Sequence, residues 1–391
     1  MRPVTTGLHR LCLDRWKSLR GARLGLLANQ ASLGQDLIHA KTALSRRLPG
    51  ALKALFGPQH GYGGEEQDNM QETPHAIDRE LQIPVFSLYS ETRRPLPHML
   101  EMIDVLIVDL QDVGTRVYTF PATLRGCIEA AAEAGVKVLV LDRPNPLGGE
   151  VVEGNLLHPR WHSFVGPFTL PMRHGLTMGE MALMFSRELR IDCDLEVVAM
   201  EGWRRAMLWQ DTGLRWLMPS PNMPLPETAL VYPGQVIWEG TNVSEGRGTC
   251  RPFEIFGAPF LDPQILLAAL EPEAHRGIHL QSYTFRPTFN KWAGRICRGF
   301  MFHVKDPGAF RPYRTTLCLL RAVIRTHPEA FSWRPPPYEY ESDRRPIDLI
   351  LGDPSIREAL ESGVSVMELE SGWKQDLKTY MERRRPYLLY E

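Results

Sequence analysis

The sequence predicts an α/β fold: a largely parallel sheet across residues 1–150, followed by a smaller α+β region across 151–391. Two observations carry this. Short apolar runs recur through the first half, each closed by polar or turn-forming residues. Two of them, at 105–110 and 136–141, enclose one amphipathic helical stretch, which is the spacing of a βαβ unit and so of parallel strands.

Arg23-Leu-Gly-Leu-Leu-Ala28 reads as the first buried strand, ending at Asn29-Gln30. Ala51-Leu-Lys-Ala-Leu-Phe56 is the second, stopped by Gly57-Pro58, and Pro84-Val-Phe-Ser-Leu-Tyr89 the third. Val105-Leu-Ile-Val-Asp-Leu110 is the fourth. Between Ala122 and Ala134, Leu124, Cys127, Ile128 and Ala131 recur at i, i+3, i+4 and i+7, one apolar face of a helix. Gly135 then supplies the left-handed residue that ends it. Val136-Lys-Val-Leu-Val-Leu141 is the fifth strand, cut off by Asp142-Arg-Pro-Asn-Pro146.

After residue 150 the rhythm changes. Met172 to Leu189 contains a helix opened by Thr177-x-x-Glu180, a capping box in which each residue bonds the other's backbone N–H. Strands are expected around 281–289 and 299–304, and helices near 308–326, 354–361 and 365–384. Ligands of parallel sheets gather beyond the carboxyl ends of the strands. The exits Asn29-Gln30, Pro58-Gln-His60, Ser90-Glu91, Gln111-Asp112 and Asp142-Arg143 are therefore predicted to share one functional rim.

Composition narrows the chemistry. The formal net charge is −1, which provides no global attraction for nucleic acid or anionic lipid. An anionic substrate must be met by a local arginine cluster. Six scattered cysteines without a Cys-x-x-Cys pair argue against a zinc ribbon and a disulfide framework. The amino terminus, Met-Arg-Pro-Val-Thr-Thr-Gly, has no apolar signal-like stretch, so a cytoplasmic protein that does not engage membranes is expected. Nucleotide-binding glycine fingerprints, His-Glu-x-x-His and Gly-x-Ser-x-Gly are all missing. By elimination, paired carboxylates acting on a glycosidic bond are the most economical chemistry.

Three segments are rich enough in polar groups to carry it. Phe56 to Asp68 combines glycines with His60, Glu65, Glu66 and Asp68. In Gln111 to Tyr118, Asp112 is a base, a sugar-hydroxyl acceptor or a helix cap, and Arg116 pairs with it or binds a carboxylate. Glu239 to Glu254 is the densest, placing Glu239, Glu245, Arg247 and Arg251 among small residues with little apolar content to bury. Weaker candidates are Glu153 and His174, the latter read as a structural histidine, while Glu129 and Glu133 are read as solvated.

The motifs also recur in a recognisable order. Gly25-Leu-Leu-Ala-Asn-Gln30, Phe56-Gly-Pro-Gln-His-Gly61, Ser87-Leu-Tyr89, Gln111-Asp-Val-Gly-Thr-Arg-Val-Tyr-Thr119 and Leu141-Asp-Arg-Pro-Asn-Pro146 occupy the first half. Pro219-Ser-Pro-Asn-Met-Pro224, the segment 239–249, Arg251-Pro-Phe-Glu254 and Gly257-Ala-Pro259 follow. Together they resemble, from end to end, the NamZ family of exo-β-N-acetylmuramidases, also catalogued as DUF1343. The resemblance implies a Rossmann-like N-terminal domain, a smaller C-terminal domain and an active cleft between them. It implies release of N-acetylmuramic acid from the non-reducing end of peptidoglycan fragments, as in cell-wall recycling, without a cofactor or metal.

On that resemblance the expected catalytic residues are Glu245, Glu239, Glu65, His60 and Asp112. Gln59, Asn29, Arg116, Asn222, Asn242, Arg247 and Arg251 are the expected substrate-binding residues, with Arg247 or Arg251 meeting the lactyl carboxylate. One position departs from the family. Its loop commonly reads Gly-Pro-Glu-His-Gly, and the resemblance gives that glutamate a catalytic role; here the position is Gln59. An amide cannot act as general acid or base. Gly63 and Glu65 also stand where an arginine and an aspartate are usual. Three expectations follow: Glu65 or Glu66 takes over proton transfer, the substrate is a different glycoside such as a glucosaminide, or the chain binds amino sugars without cleaving them.

Overall fold

In the computed structural model, which describes residues 3–391, the apolar runs of the first half pair side by side. In chain order the strands are β1 (Leu24–Ala28), β2 (Leu52–Gly57), β3 (Ala76–Ile77), β4 (Pro84–Ser87), β5 (Val105–Asp109) and β6 (Lys137–Leu141). They continue with β7 (Glu153–Leu156), β8 (Pro171–Arg173), β9 (Leu195–Val198), β10 (Ile255–Ala258), β11 (Ile278–Phe285) and β12 (Cys297–Val304). A seven-stranded sheet forms in the order β3-β4-β2-β1-β5-β6-β9. All its neighbours are parallel except β3 and β4. Every residue of β1 and β5 is buried, as strands covered on both faces require.

Register and packing follow from side-chain size. Leu26 lies opposite Ile107, and Leu27 opposite Val108. Gly25 is where Ile103 packs onto the strand: a Cβ there would sit 2.6 Å from Ile103 Cδ1. The helix Phe120–Ala134 lays Leu124, Cys127, Ile128 and Ala131 against the sheet, and Gly135 closes it at φ 67°. Burying its leucine and isoleucine is worth about 1.5–3 kcal/mol each. The helix Met178–Glu188 opens with both halves of the capping box made, at 3.2 Å into Thr177 Oγ1 and 3.0 Å into Glu180 Oε2. Its chain then returns as β9, parallel to β6. The parallel sheet is thus completed well past residue 150, so a division there would cut through it.

The remainder is built on the antiparallel sheet β10-β12-β11 and the pair β7-β8. Helices Pro312–Thr326, Pro354–Glu361 and Val366–Arg384 match the expected stretches, the first starting four residues late at its proline. The short strands β3, β7, β8, β9 and β10 had no periodic signal; two to four residues are too few to show alternation. Trp238 stacks flat on Phe256 of β10, with ring centroids 4.7 Å apart. This contact pins the turn that carries Glu239 onto the second sheet. Among the described residues no helix is long and apolar enough to cross a membrane.

Candidate active site

β2 ends at Gly57, and the chain turns sharply through Pro58-Gln-His60. His60 adopts φ 74°, a left-handed conformation that costs a residue with a Cβ. The turn buries Gln59 at the edge of a narrow cavity of about 40 Å³. Around it stand Tyr118 and Thr119 from the β5 exit, Asn222 from the proline-rich segment, and Glu239, Arg247 and Glu339 from the second half. Of the five strand exits expected to share one rim, only Pro58-Gln-His60 lines this cavity; Gln111 and Arg143 line a separate one with Ala31 and Trp209.

Glu239 rides on a single helical turn, Val236–Gly240, that continues the helix Pro226–Gln235. Its Oε1 accepts from Arg247 Nη2 at 2.8 Å, and its Oε2 from Tyr338 Oη at 2.7 Å and Asn69 Nδ2 at 3.3 Å. Glu245 lies behind, between Arg247 Nε at 3.2 Å and Lys291 Nζ at 2.8 Å. Burial opposes ionisation of Glu245, but Lys291 and Arg247 outweigh it and hold the carboxyl below its usual range. Two buried cations thus balance two buried carboxylates, the condition under which such charges are tolerated. Arg247 Nη1 has no partner among the described residues.

Glu339 shares the cavity. It sits in a tight turn in which Tyr338 and Glu341 exchange both backbone hydrogen bonds, at 3.0 and 2.9 Å. Glu339 and Tyr340 adopt φ 45° and 69°, positions that primed hairpin turns usually give to glycine or asparagine. Such strain costs of order 1–3 kcal/mol per residue and persists where the surroundings hold it. Here they do. Gln59 Nε2 donates to Glu339 Oε1 at 3.0 Å, and Tyr89 Oη to Oε2 at 2.7 Å. Burial pushes the Glu339 carboxyl up to about 7 against these two hydrogen bonds, and Glu239 adds to the rise. His60 moves the other way: burial lowers it to about 4, so near neutrality the ring is uncharged. Its Nδ1–H donates to the Glu66 carbonyl at 2.8 Å, leaving Nε2 as the free acceptor.

The expected residues separate into groups. Gln59, His60, Asn222, Glu239 and Arg247 all line the cavity. Asn222 is fixed by Gln67, donating to its carbonyl at 2.8 Å. Glu245 touches the cavity only through Arg247. Glu65 is exposed and folds back onto the Gly63 N–H at 3.0 Å, lining a separate depression beside Lys41 and Asp78. Its own loop turns it outward. Asp112 accepts from the Gly114 N–H at 2.7 Å and faces His174 at 3.3 Å in the interior, so it neither caps the next helix nor pairs with Arg116.

Arg116 donates to the carbonyls of Asn155, Leu170, Ile350 and Leu351 and is wholly buried. It ties the second half to the sheet rather than facing the cavity. Asn29 bridges Pro219 and Ala31, and Asn242 clasps Ala330 and Ser332. Arg251 is half exposed and pairs with Glu254 at 2.8 Å, away from the cavity. Glu180 pairs with Arg205 besides capping its helix, and Glu129 and Glu133 pair with Arg125 and Arg94. Of the four acids expected to be catalytic, Glu239 alone lines the cavity, which it shares with Glu339. The available signal for Glu339 was an acid between two tyrosines just after Pro335-Pro-Pro337. Among the described residues no group of three or more His, Cys, Asp or Glu is placed to hold a metal ion.

This fold has counterparts. A family profile described as exo-β-N-acetylmuramidase NamZ, N-terminal, matches residues 24–227, and its C-terminal companion matches residues 230–390. The chain is 40% identical over 387 residues to the peptidoglycan β-N-acetylmuramidase NamZ of Bacillus subtilis strain 168, covering 99% of this chain and 91% of that protein. A crystal structure of a DUF1343 family protein from Bacteroides fragilis superposes with a TM-score of 0.88 at 31% identity, covering 100% of this chain and 99% of the other. A second from the same organism gives 0.77 at 26% identity, again with 100% and 99% coverage. The two profiles meet near residue 228, beyond the whole parallel sheet. With both profiles matched in order and a full-length relative well above 30% identity, the chain belongs to the NamZ family.

Proposed function

We propose that this chain is an exo-acting glycoside hydrolase that releases N-acetylmuramic acid from the non-reducing end of peptidoglycan fragments, with Glu339 and Glu239 as its carboxylate pair. The observation that carries the reading is that these two buried carboxyls share one cavity in opposed surroundings. Glu239 is ion-paired with Arg247. Glu339 has no cation within salt-bridge distance among the described residues and is raised to about 7, so about half of it is protonated at neutral pH. Carboxyl pairs pushed apart in this way divide into an acid and a charge-stabilising partner.

On this reading Glu339 passes its proton to the glycosidic oxygen as the C1–O electron pair leaves with the departing sugar. Glu239 faces the positive charge that develops at the anomeric carbon. A water oxygen then forms the new bond to C1, and one of its protons returns the carboxyl pair to its starting state. Gln59, where the family carries glutamate, becomes the residue that orients Glu339 through Nε2. Arg247 Nη1 is a charge-assisted donor for the lactyl carboxylate. The acid has moved across the cavity rather than along the loop to Glu65 or Glu66.

A chromogenic β-N-acetylmuramide tests this directly. The folded protein should release aglycone, and the matching β-N-acetylglucosaminide should be cleaved far more slowly. No release from either sugar at any pH between 4 and 9, about the range over which such carboxyls titrate, would sink the reading. N-acetylmuramic acid that binds without turnover would mark a binding protein instead.

A further inference from the structure

Outside the cavity, and also bordered by Glu339, lies an open groove. Glu339 lines both. Phe164, Tyr340, Arg93 and Arg125 are among the residues that line the groove. We propose that this groove is the leaving-group subsite, holding a neutral saccharide ring joined to the sugar in the cavity; this rests on the hydrolase reading above.

The turn 338–341 is the partition between the two spaces. Its consecutive left-handed residues send Glu339 inward, to Gln59 and Tyr89, and make Tyr340 a wall of the groove. Tyr89 links the two sides. Its hydroxyl holds Glu339 Oε2 at 2.7 Å, while its ring packs against Tyr340 at 5.3 Å and Phe164 at 5.8 Å. A general acid must reach the oxygen between the ring that stays and the ring that leaves. A carboxyl bordering two spaces therefore assigns one to each ring. The leaving ring departs as a free alcohol, its oxygen carrying the Glu339 proton.

The groove has the chemistry such a ring needs. Phe164 is half-buried and Tyr340 is 44% exposed, offering apolar surface to the carbon face of a pyranose. The Arg93 guanidinium lies over the Tyr340 ring at 3.0 Å. Its Nη1 is taken by the Ser90 carbonyl at 2.9 Å and its Nη2 by Glu72 at 3.5 Å, but its Nε is buried without a partner among the described residues. That donor suits a hydroxyl or acetamido oxygen. Arg125 is already paired with Glu129, and Glu341 with Arg344. The charges around the groove are therefore largely matched, which favours a neutral ring over an acidic one.

The test compares two substrates with the same donor sugar: an N-acetylmuramyl disaccharide, and the β-glycosyl fluoride, whose leaving group is a single atom. Phe164→Ala and Arg93→Met should each lower the disaccharide-to-fluoride ratio of kcat/KM about ten-fold or more. Either variant decides the matter if the other fails to fold. A ratio unchanged in a folded Phe164→Ala or Arg93→Met enzyme, with wild type active on both substrates, overturns the subsite alone. Wild-type inactivity on both substrates overturns the hydrolase reading and the subsite with it.

Discussion

The amide of Gln59 donates to the carboxyl of Glu339 at 3.0 Å, across 280 residues of chain. Gln59 cannot exchange a proton, but its oxygen is held by Thr119 at 2.6 Å, so its nitrogen is aimed at Glu339. One loop supplies the orientation and a distant turn supplies the acid.

If Glu339 is the acid, Glu339→Gln should lower kcat/KM on an unactivated glycoside by about 10²–10⁴-fold, with the fold intact. In the parent enzyme kcat/KM should fall as pH rises through about 7, where Glu339 loses its proton. The variant should lack that limb. A pH–rate profile on both proteins checks the claim, and an unchanged alkaline limb in Glu339→Gln would refute it.

Gln59→Glu sets two carboxyls face to face at a 3.0 Å contact. Two such groups share one proton, so the second to ionise does so at higher pH. The alkaline limb should move up by about one unit. Steady-state rates from pH 6 to 9 give the answer; a downward shift contradicts it.

Arg247→Met removes the partner of Glu239 and one of the two partners of Glu245. Breaking a buried pair from one side costs about 3–5 kcal/mol, because the carboxylate stays behind uncompensated. Urea denaturation should show that loss. A change below about 1 kcal/mol would mean that water reaches the pair.

Arg116 satisfies four carbonyls at 2.8 to 3.0 Å. Arg116→Met should destabilise the protein by about 3 kcal/mol or more, while kcat/KM of the folded fraction stays within about two-fold. A selective rise in KM at unchanged melting temperature would instead return Arg116 to substrate binding.

Glu153 offers a test of stability apart from activity. Burial pushes its carboxyl up to about 7, opposed by the Arg314 N–H and the charge of Arg173. A carboxyl raised in the folded state contributes its stability fully below about 4.5 and loses it as pH rises through about 7. The parent should therefore lose roughly 2–3 kcal/mol between pH 5 and 8 that Glu153→Gln does not lose. Denaturation midpoints of the two proteins at both pH values measure the difference.

The sequence by itself determined the parallel sheet, because five apolar runs and one amphipathic helix leave few other ways to bury those side chains. It also marked Gln59, His60, Glu239 and Arg247, since polar residues in glycine-rich strand exits and loops have little other reason to be there. Only the tertiary structure separated Arg116, Asn29 and Asn242 from the cavity, because an arginine facing four carbonyls and one facing a ligand look alike in a linear chain. It alone supplied Glu339, whose raised carboxyl depends on burial between Tyr89 and Gln59. Proton affinity is a property of surroundings, and in this fold those surroundings come from opposite ends of the chain.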